Sequence, residues 1–205
     1  MECSFLAGID EAGRGPLAGP VVAGCVILHP EFPVSLLNDS KKLSEKKRLQ
    51  AETAIKELCC WGIGTASEKV IDRINILQAD FLAMKDALSQ MLEKLPAWCG
   101  KNGISSKADS APGIAAAVEA IVDGNALPPG MKCRARAVVK ADTLFPCVMA
   151  ASILAKTERD RIMTEYGRLY PEYGYERHKG YPTPEHKELC RRLGPSPVQR
   201  LSFRY

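Results

Sequence analysis

Residues 4–20, SFLAGIDEAGRGPLAGP, constrain the chain more than any other stretch, because an apolar run ends there in two adjacent carboxylates followed at once by a glycine-arginine-glycine turn. Phe5, Leu6, Ala7 and Ile9 read as a short buried strand, and Gly13, Gly15 and Pro16 forbid its simple continuation. Asp10 and Glu11 therefore stand at the strand's end. Acidic side chains are rarely buried without a partner, so the pair must be solvated, matched with basic groups or bound to cations. A polar strand terminus entering a turn would account for the pair alone. The turn adds more: Gly13 and Gly15 let backbone N–H groups approach a ligand closely, and Arg14 offers a planar, permanently charged fork suited to phosphate. Carboxylates repel a polyanion unless a divalent cation bridges the two, which is the arrangement of metal-assisted phosphoryl chemistry.

Beyond this stretch, residues 20–28 are dense in β-branched side chains and read as a second strand, antiparallel to the first because the connection is too short for a parallel crossover. His29 and Pro30 break it, and His29 has no second ligand nearby, which favours a surface role. Ser44 can cap a helix running to about residue 59, with Leu49, Ala54, Ile55 and Leu58 as its apolar stripe. Residues 61–66 form a third strand, and 67–72 a turn or short helix. A long helix over 74–95 carries Ile76, Leu77, Phe81, Leu82, Met84, Leu88, Met91 and Leu92 at core spacing. Residues 100–112 are linker-like. Strands over 120–123 and 134–140 follow, the first again ending in a carboxylate, Asp123, before a Gly-Asn turn. Asp142 precedes a helix over 146–169 that turns Ala150, Ile153, Leu154, Ile162 and Met163 inward and leaves Lys156, Arg159 and Arg161 for solvent or phosphate. A Tyr, Gly and Pro-rich region over 171–184 leads into a last helix from Thr183-Pro184 to about residue 193. Strands alternating with helices after an initial run of strands give an α/β sheet covered by helices, whose strand ends build sites.

Size and composition suit one domain over residues 1–205, with 46% hydrophobic and 25% charged residues. No segment approaches the roughly 20 apolar residues that span a bilayer, and the four residues before the first strand leave no room for a signal peptide, so a cytoplasmic protein is expected. The eight cysteines include no CxxC pair and read as small apolar fillers in a reducing compartment. Residues 131–205 hold 15 Lys+Arg against 8 Asp+Glu, whereas residues 1–130 hold 13 against 16, which makes the C-terminal part a candidate polyanion surface.

The block GIDEAGRGPLAGPVV resembles the N-terminal signature of the type 2 ribonucleases H, which cut the RNA of RNA/DNA hybrids and nick at single ribonucleotides embedded in DNA. Matching segments continue through DSKKLS (39–44), INILQADFLAM (74–84), IVDGN (121–125), VVKAD (138–142), AASILAKTERD (150–160), HKGYPTPEH (178–186) and the final LGP and RLSF, so the resemblance spans nearly the whole chain. It implies a ribonuclease H-like fold, a five-stranded mixed sheet flanked by helices with a C-terminal helical extension over about 170–205. It also implies that Asp10, Glu11, Asp123 and Asp142 converge on two Mg²⁺ or Mn²⁺ ions about 4 Å apart, with Asp10 bridging, Glu11 and Asp123 on one side and Asp142 on the other. All-oxygen ligands make Mg²⁺ the first choice. By the same resemblance, backbone groups of Gly13, Arg14 and Gly15 read a ribonucleotide's 2′-hydroxyl, the contact that separates RNA from DNA. Tyr181 stacks on the following deoxyribose, and Lys42, Lys156 and Lys179 contact phosphate. The partners implied are RNA/DNA hybrids and ribonucleotide-containing DNA, met by a monomer away from any membrane.

Several alternatives stand beside this reading. Asp160 could replace Asp142, although its spacing from Lys156 also suits an i,i+4 ion pair. His178 and His186 fit structural support better than metal binding. A type 3 ribonuclease H shares the fold and carboxylates, and a junction-cutting nuclease would also cluster carboxylates, but neither accounts as well for the Gly-Arg-Gly turn. An inactive hybrid-binding module is a further alternative, against which all four acidic positions remain acidic.

Overall fold

The run that begins at Phe5 does not stop at Ile9: strand β1 spans Phe5–Ala12, so the carboxylate pair lies within the strand. The cause is its antiparallel neighbour β2, Val21–Ile27, whose ladder continues past Ile9↔Cys25 through Asp10↔Gly24 and Glu11↔Ala23 to Ala12↔Val22. On the other side β1 pairs in parallel with β4, Val118–Asp123, and that ladder runs from Phe5↔Val118 to Ile9↔Val122. The carboxylates therefore sit where one ladder has ended and the other persists.

This computed structural model describes residues 5–37, 43–104 and 111–204, with residues 111 and 112 in backbone only. In chain order, β1 and β2 lead to α1 (Glu45–Leu58), β3 (Cys60–Ala66), α2 (Glu68–Ile74), α3 (Ile76–Lys101) and α4 (Ala111–Ala115). Then come β4, β5 (Arg134–Val138), α5 (Pro146–Leu169), α6 (Tyr175–His178) and α7 (Pro184–Leu193). The five strands form one mixed sheet in the order β3-β2-β1-β4-β5, with β2 antiparallel to both neighbours and β4 parallel to both of its own. The expected five-stranded α/β architecture is present.

Alternation along the strands divides the sheet into two faces. Phe5, Ala7, Ile9, Ala120 and Val122 join α3 in one apolar cluster with Ala83, Ala87, Leu88, Met91 and Leu95. The opposite face meets α5, where Ile121 packs with Cys147 and Val148 while Val26 packs with α1 and α5 through Ile55, Ile153 and Leu154. Gly8 lies on that second face, and a Cβ there would collide with the backbone of Cys147 and Val148, so the N-terminus of α5 rests directly on β1. Asp10 and Asp123 continue the parity of Gly8 and Ile121 and face α5. Glu11 continues the parity of Ile9 and faces α3.

Several elements depart from the sequence expectation. α3 begins at Ile76 because Asn75, at φ 67°, ends α2 and accepts from Gln78 N–H through its side chain at 3.1 Å. It then runs through Pro96 to Lys101, anchored by Trp98 Nε1 donating to Leu58 O at 2.8 Å and by buried Cys99. Alanines 79, 83 and 87 form the α3 contact stripe, whereas Leu77 and Leu82 are exposed. In α1, Leu49 and Leu58 are exposed, and Ala51 and Ile55 carry the packing. Strand β5 ends at Val138 since Lys140 adopts left-handed φ 59° to enter the 3-10 turn Ala141–Thr143. Part of the 100–112 linker folds as α4. The seven described cysteines are free thiols, all buried except half-buried Cys133.

Gly8→Ala is expected to lower stability by about 1–3 kcal/mol, since the methyl must displace helix backbone. The measurement is the urea midpoint, and an unchanged midpoint would contradict the direct contact of α5 with β1.

Candidate active site

Asp10, Glu11, Asp123 and Asp142 line one cleft of about 680 Å³ together with Gly13, Arg14, Gly15, Arg48, Ser152, Lys156 and Tyr181. All four sequence-predicted carboxylates are thus gathered. Asp10 is 5% exposed, and burial first, then Glu11 and Asp123, raise its carboxyl well above the ordinary range, opposed by the Ser152 hydroxyl bonded to it. Its Oδ1 also accepts the Glu11 N–H at 2.8 Å. Burial raises Glu11 as well, with Asp123 adding to the shift and Arg14 opposing it. Asp123 is oriented by Ala141 N–H, which donates to its Oδ1 at 2.6 Å. The 3-10 turn that donates this bond also carries Asp142, so one short turn fixes two of the four acids.

A fifth acid on α3 was not anticipated from sequence. Asp80 is 1% exposed, its Oδ1 has no hydrogen-bond partner among the described residues, and its Oδ2 lies 3.6 Å from Arg14 Nε. Burial, then Glu11, push its carboxyl up to about 8, with Arg14 pulling the other way. Arg14 reaches Glu11 too, at 3.9 Å, and so spans the two acids that face α3.

The turn over residues 13–20 is held from behind by two buried arginines. Arg159, expected to be available to solvent or phosphate, is only 1% exposed and donates to Pro20 O, Ala18 O and Lys179 O at 3.0, 3.1 and 3.0 Å. It shares a helical face with buried Ser152, Ala155 and Met163, which turns it inward. Gly13, at φ 106°, is required to lack a side chain, since a Cβ would strike the Arg159 guanidinium stem. Arg200 is fully buried and takes further carbonyls of the same turn.

Tyr181 is 40% exposed at the cleft with its ring 5.7 Å from the Arg159 guanidinium carbon. Its backbone is fixed on both sides: its N–H donates to His178 O at 2.9 Å, and its carbonyl meets His186 Nδ1 at 2.9 Å. The rings of His178 and His186 stack at 4.3 Å and are buried, a supporting arrangement. Lys156 lines the cleft and pairs with Asp160 at 2.6 Å, while Arg48 approaches the same acid at 3.7 Å. Asp160 thus serves ion pairs and does not line the carboxylate cleft. Lys179 does not line it either: its ammonium donates to Thr164 Oγ1 at 2.7 Å and borders an adjoining pocket with Arg48, Arg161 and Arg168. Lys42, with most of the DSKKLS segment, lies outside the described residues.

Residues 7–205 match the family model for ribonuclease HII. A ribonuclease HII of Treponema denticola is 52% identical over 202 residues, covering 97% of this chain and 98% of its own length. The chain belongs to the ribonuclease HII family. A Sphingopyxis alaskensis member is 48% identical over 199 residues, covering 97% of this chain and 88% of its own. The ribonuclease HII of Archaeoglobus fulgidus, solved with PCNA, superposes with a TM-score of 0.65 at 24% identity over 98% of this chain and 96% of its own. A ribonuclease HIII solved with Mn²⁺ superposes at 0.59 and 15% identity over 94% of this chain and 71% of its own, a likeness of fold. The protein is accordingly a ribonuclease H enzyme, an endonuclease acting on the RNA of RNA/DNA hybrids in a family that depends on a divalent cation. Among the described residues no helix is long and apolar enough to cross a membrane.

The chemistry of the acids lining the cleft suits such a cation, while among the described residues no three acids already converge at metal-binding distance. Burial raises both the Asp10 and the Glu11 carboxyl, Glu11 and Asp123 add to the shift of Asp10, and Asp123 adds to that of Glu11, so a hard cation on their oxygens removes repulsion that the fold itself creates.

Because Asp80 titrates higher folded than its ordinary 3.8, its contribution to stability is fully present below about pH 4 and is lost as pH rises through about 8. In EDTA, the melting temperature of the wild type should therefore fall more steeply than that of Asp80→Asn between these limits. Parallel curves would contradict the raised carboxyl of buried Asp80.

Proposed function

We propose that this ribonuclease HII cuts on the 5′ side of a ribonucleotide, including a single one embedded in duplex DNA, and leaves a 3′-hydroxyl and a 5′-phosphate. The observation that carries this reading is the shared cleft of four carboxylates, the Gly-Arg-Gly turn and Tyr181. Asp10, Glu11, Asp123 and Asp142 are the residues that would hold two Mg²⁺ or Mn²⁺ ions, Mg²⁺ being favoured by the all-oxygen set. Bound there, the ions supply an activated water and neutralise charge on the attacked phosphate and leaving oxygen.

The protein's own groups do the positioning. Ser152 and the Ala141 N–H fix the Asp10 and Asp123 carboxylates before substrate arrives. Backbone groups of Gly13, Arg14 and Gly15 meet the 2′-hydroxyl of the ribonucleotide whose 5′ phosphodiester is cut. The half-exposed Tyr181 ring stacks on the deoxyribose that follows, leaving no space there for a second 2′-hydroxyl. Lys156 contacts the scissile strand, and Lys179, with Arg48, Arg161 and Arg168 in the adjoining pocket, follows the phosphates of the duplex. Residues 1–205 act as one catalytic domain whose extension from about residue 170 carries the tyrosine. A monomer suffices, because every group named comes from one chain. The work suits a cytoplasmic enzyme that removes ribonucleotides from DNA during replication and repair.

The test uses two end-labelled duplexes, one with a single ribonucleotide and one all DNA. A nick 5′ of the ribonucleotide that needs divalent metal, spares the all-DNA duplex and falls to background in Asp123→Asn is expected. Cleavage of long hybrids only would contradict the junction reading. Tyr181→Ala should lower single-ribonucleotide nicking by about tenfold, the order of one lost stacking contact of about 1–3 kcal/mol. An unchanged rate would exclude Tyr181 from junction recognition.

A further inference from the structure

Arg200 uses every N–H of its guanidinium on one small piece of backbone. Nε donates to Gly19 O at 2.8 Å, one terminal nitrogen to Arg14 O at 3.1 Å and Pro16 O at 2.8 Å, and the other to Gly13 O at 2.6 Å and Pro20 O at 3.0 Å. That saturates the five donors of an arginine. The side chain is fully buried, and no carboxylate forms a salt bridge with it among the described residues. Burial, then repulsion from Arg159, lower it to about 9. A buried guanidinium satisfied only by carbonyls is a costly filler compared with an apolar side chain, so its geometric effect is the informative part.

That effect follows from the planarity of the peptide group. In a trans peptide the C=O and N–H point in opposite directions. The Gly13 carbonyl belongs to the same plane as the Arg14 N–H, and the Arg14 carbonyl to the same plane as the Gly15 N–H. With both carbonyls drawn back onto Arg200, both N–H groups are turned away from it. Neither donates to an acceptor among the described residues, and Gly13, Arg14 and Gly15 all line the carboxylate cleft. Two free donors with a buried positive charge behind them form a site for an oxygen ligand.

We infer that Arg200 is the positioning residue for ribonucleotide recognition: from the C-terminal segment it sets the Gly13–Arg14 and Arg14–Gly15 peptide planes so that their N–H groups meet the 2′-hydroxyl side of the substrate. This rests on the reading above, in which the turn meets the 2′-hydroxyl. Arg200 is itself anchored at its backbone, where its N–H donates to Leu17 O at 2.8 Å. The next two residues are pinned by Asp72 of α2, whose oxygens accept Leu201 N–H and Ser202 N–H at 2.9 Å each. Lysine cannot substitute, because a compact ammonium has three donors and no fork.

The test is the ratio of affinities for two duplexes that differ only in one ribose or deoxyribose, measured by fluorescence anisotropy with Ca²⁺ in place of the catalytic metal. The wild type is expected to favour the ribonucleotide duplex. Arg200→Lys and Arg200→Gln should reduce that ratio by about tenfold or to one, with affinity for the all-DNA duplex within about twofold of wild type. A folded variant that keeps the wild-type ratio, or loses affinity for both duplexes equally, overturns the inference. No preference in the wild type would instead overturn the reading of the turn. Should neither variant fold, ¹H–¹⁵N spectra of the wild type decide: the ribonucleotide duplex, but not the deoxy one, should shift the Arg14 and Gly15 amides and the Arg200 Nε–H together. Amide shifts without any change at Arg200 Nε overturn it.

Discussion

A carboxylate that is 5% exposed on the central strand of a sheet is the feature the rest of this molecule has to accommodate. Asp10 has Glu11 beside it and Asp123 on the neighbouring strand, and all three stand where the β1–β4 ladder has ended and the β1–β2 ladder still runs. The sheet therefore holds its acids rigidly and lets them reach a cleft. Strand parity then gives each a different environment. Asp10 and Asp123 face α5, where Ser152 meets Asp10, and Glu11 faces α3, which carries Asp80, with Arg14 of the turn reaching both Glu11 and Asp80. Charges so arranged are balanced by hydrogen bonds, by Arg14 and by the cation on which the family depends.

The second constraint is the turn that closes the cleft. Residues 13–20 contain no helix or named strand, and their carbonyls would be poorly satisfied so close to the core. Arg159 and Arg200 supply the donors from opposite parts of the chain, α5 and the C-terminal segment, and a bridge between Ala18 and Gln199 ties the two segments together. The extension beyond residue 170 is thereby joined to the catalytic strand through the turn as well as through the loop that carries Tyr181. Recognition and chemistry share one backbone.

Much of this was legible in the sequence because Asp10, Glu11 and Asp123 follow apolar runs and precede glycine turns, although β1 runs past its acid pair to Ala12 because β2 keeps pairing with it. The long α3 was misjudged at both ends for local reasons: Asn75 caps it in a positive-φ conformation that no periodicity announces, and Pro96 is carried inside the helix. Asp80 did leave a signal, since it interrupts a stripe shared with Ala83 and Ala87, where an acid has no reason to be unless something faces it. Arg159 left the same kind of signal through its phase with Ser152, Ala155 and Met163. Arg200 left none. Its role depends on contacts with residues some 180 positions earlier in the chain, and nothing local distinguishes it from Arg191 or Arg192.

The most direct measurement is calorimetry of Mn²⁺ binding between about pH 5 and pH 8 in two buffers of different ionisation enthalpy. If the clustered, buried carboxylates are the cation site, binding should release protons, because Asp10 and Glu11 hold them above the ordinary carboxylate range, and Asp10→Asn should abolish both binding and release. Cation binding without proton release, or binding unchanged in Asp10→Asn, would contradict the account.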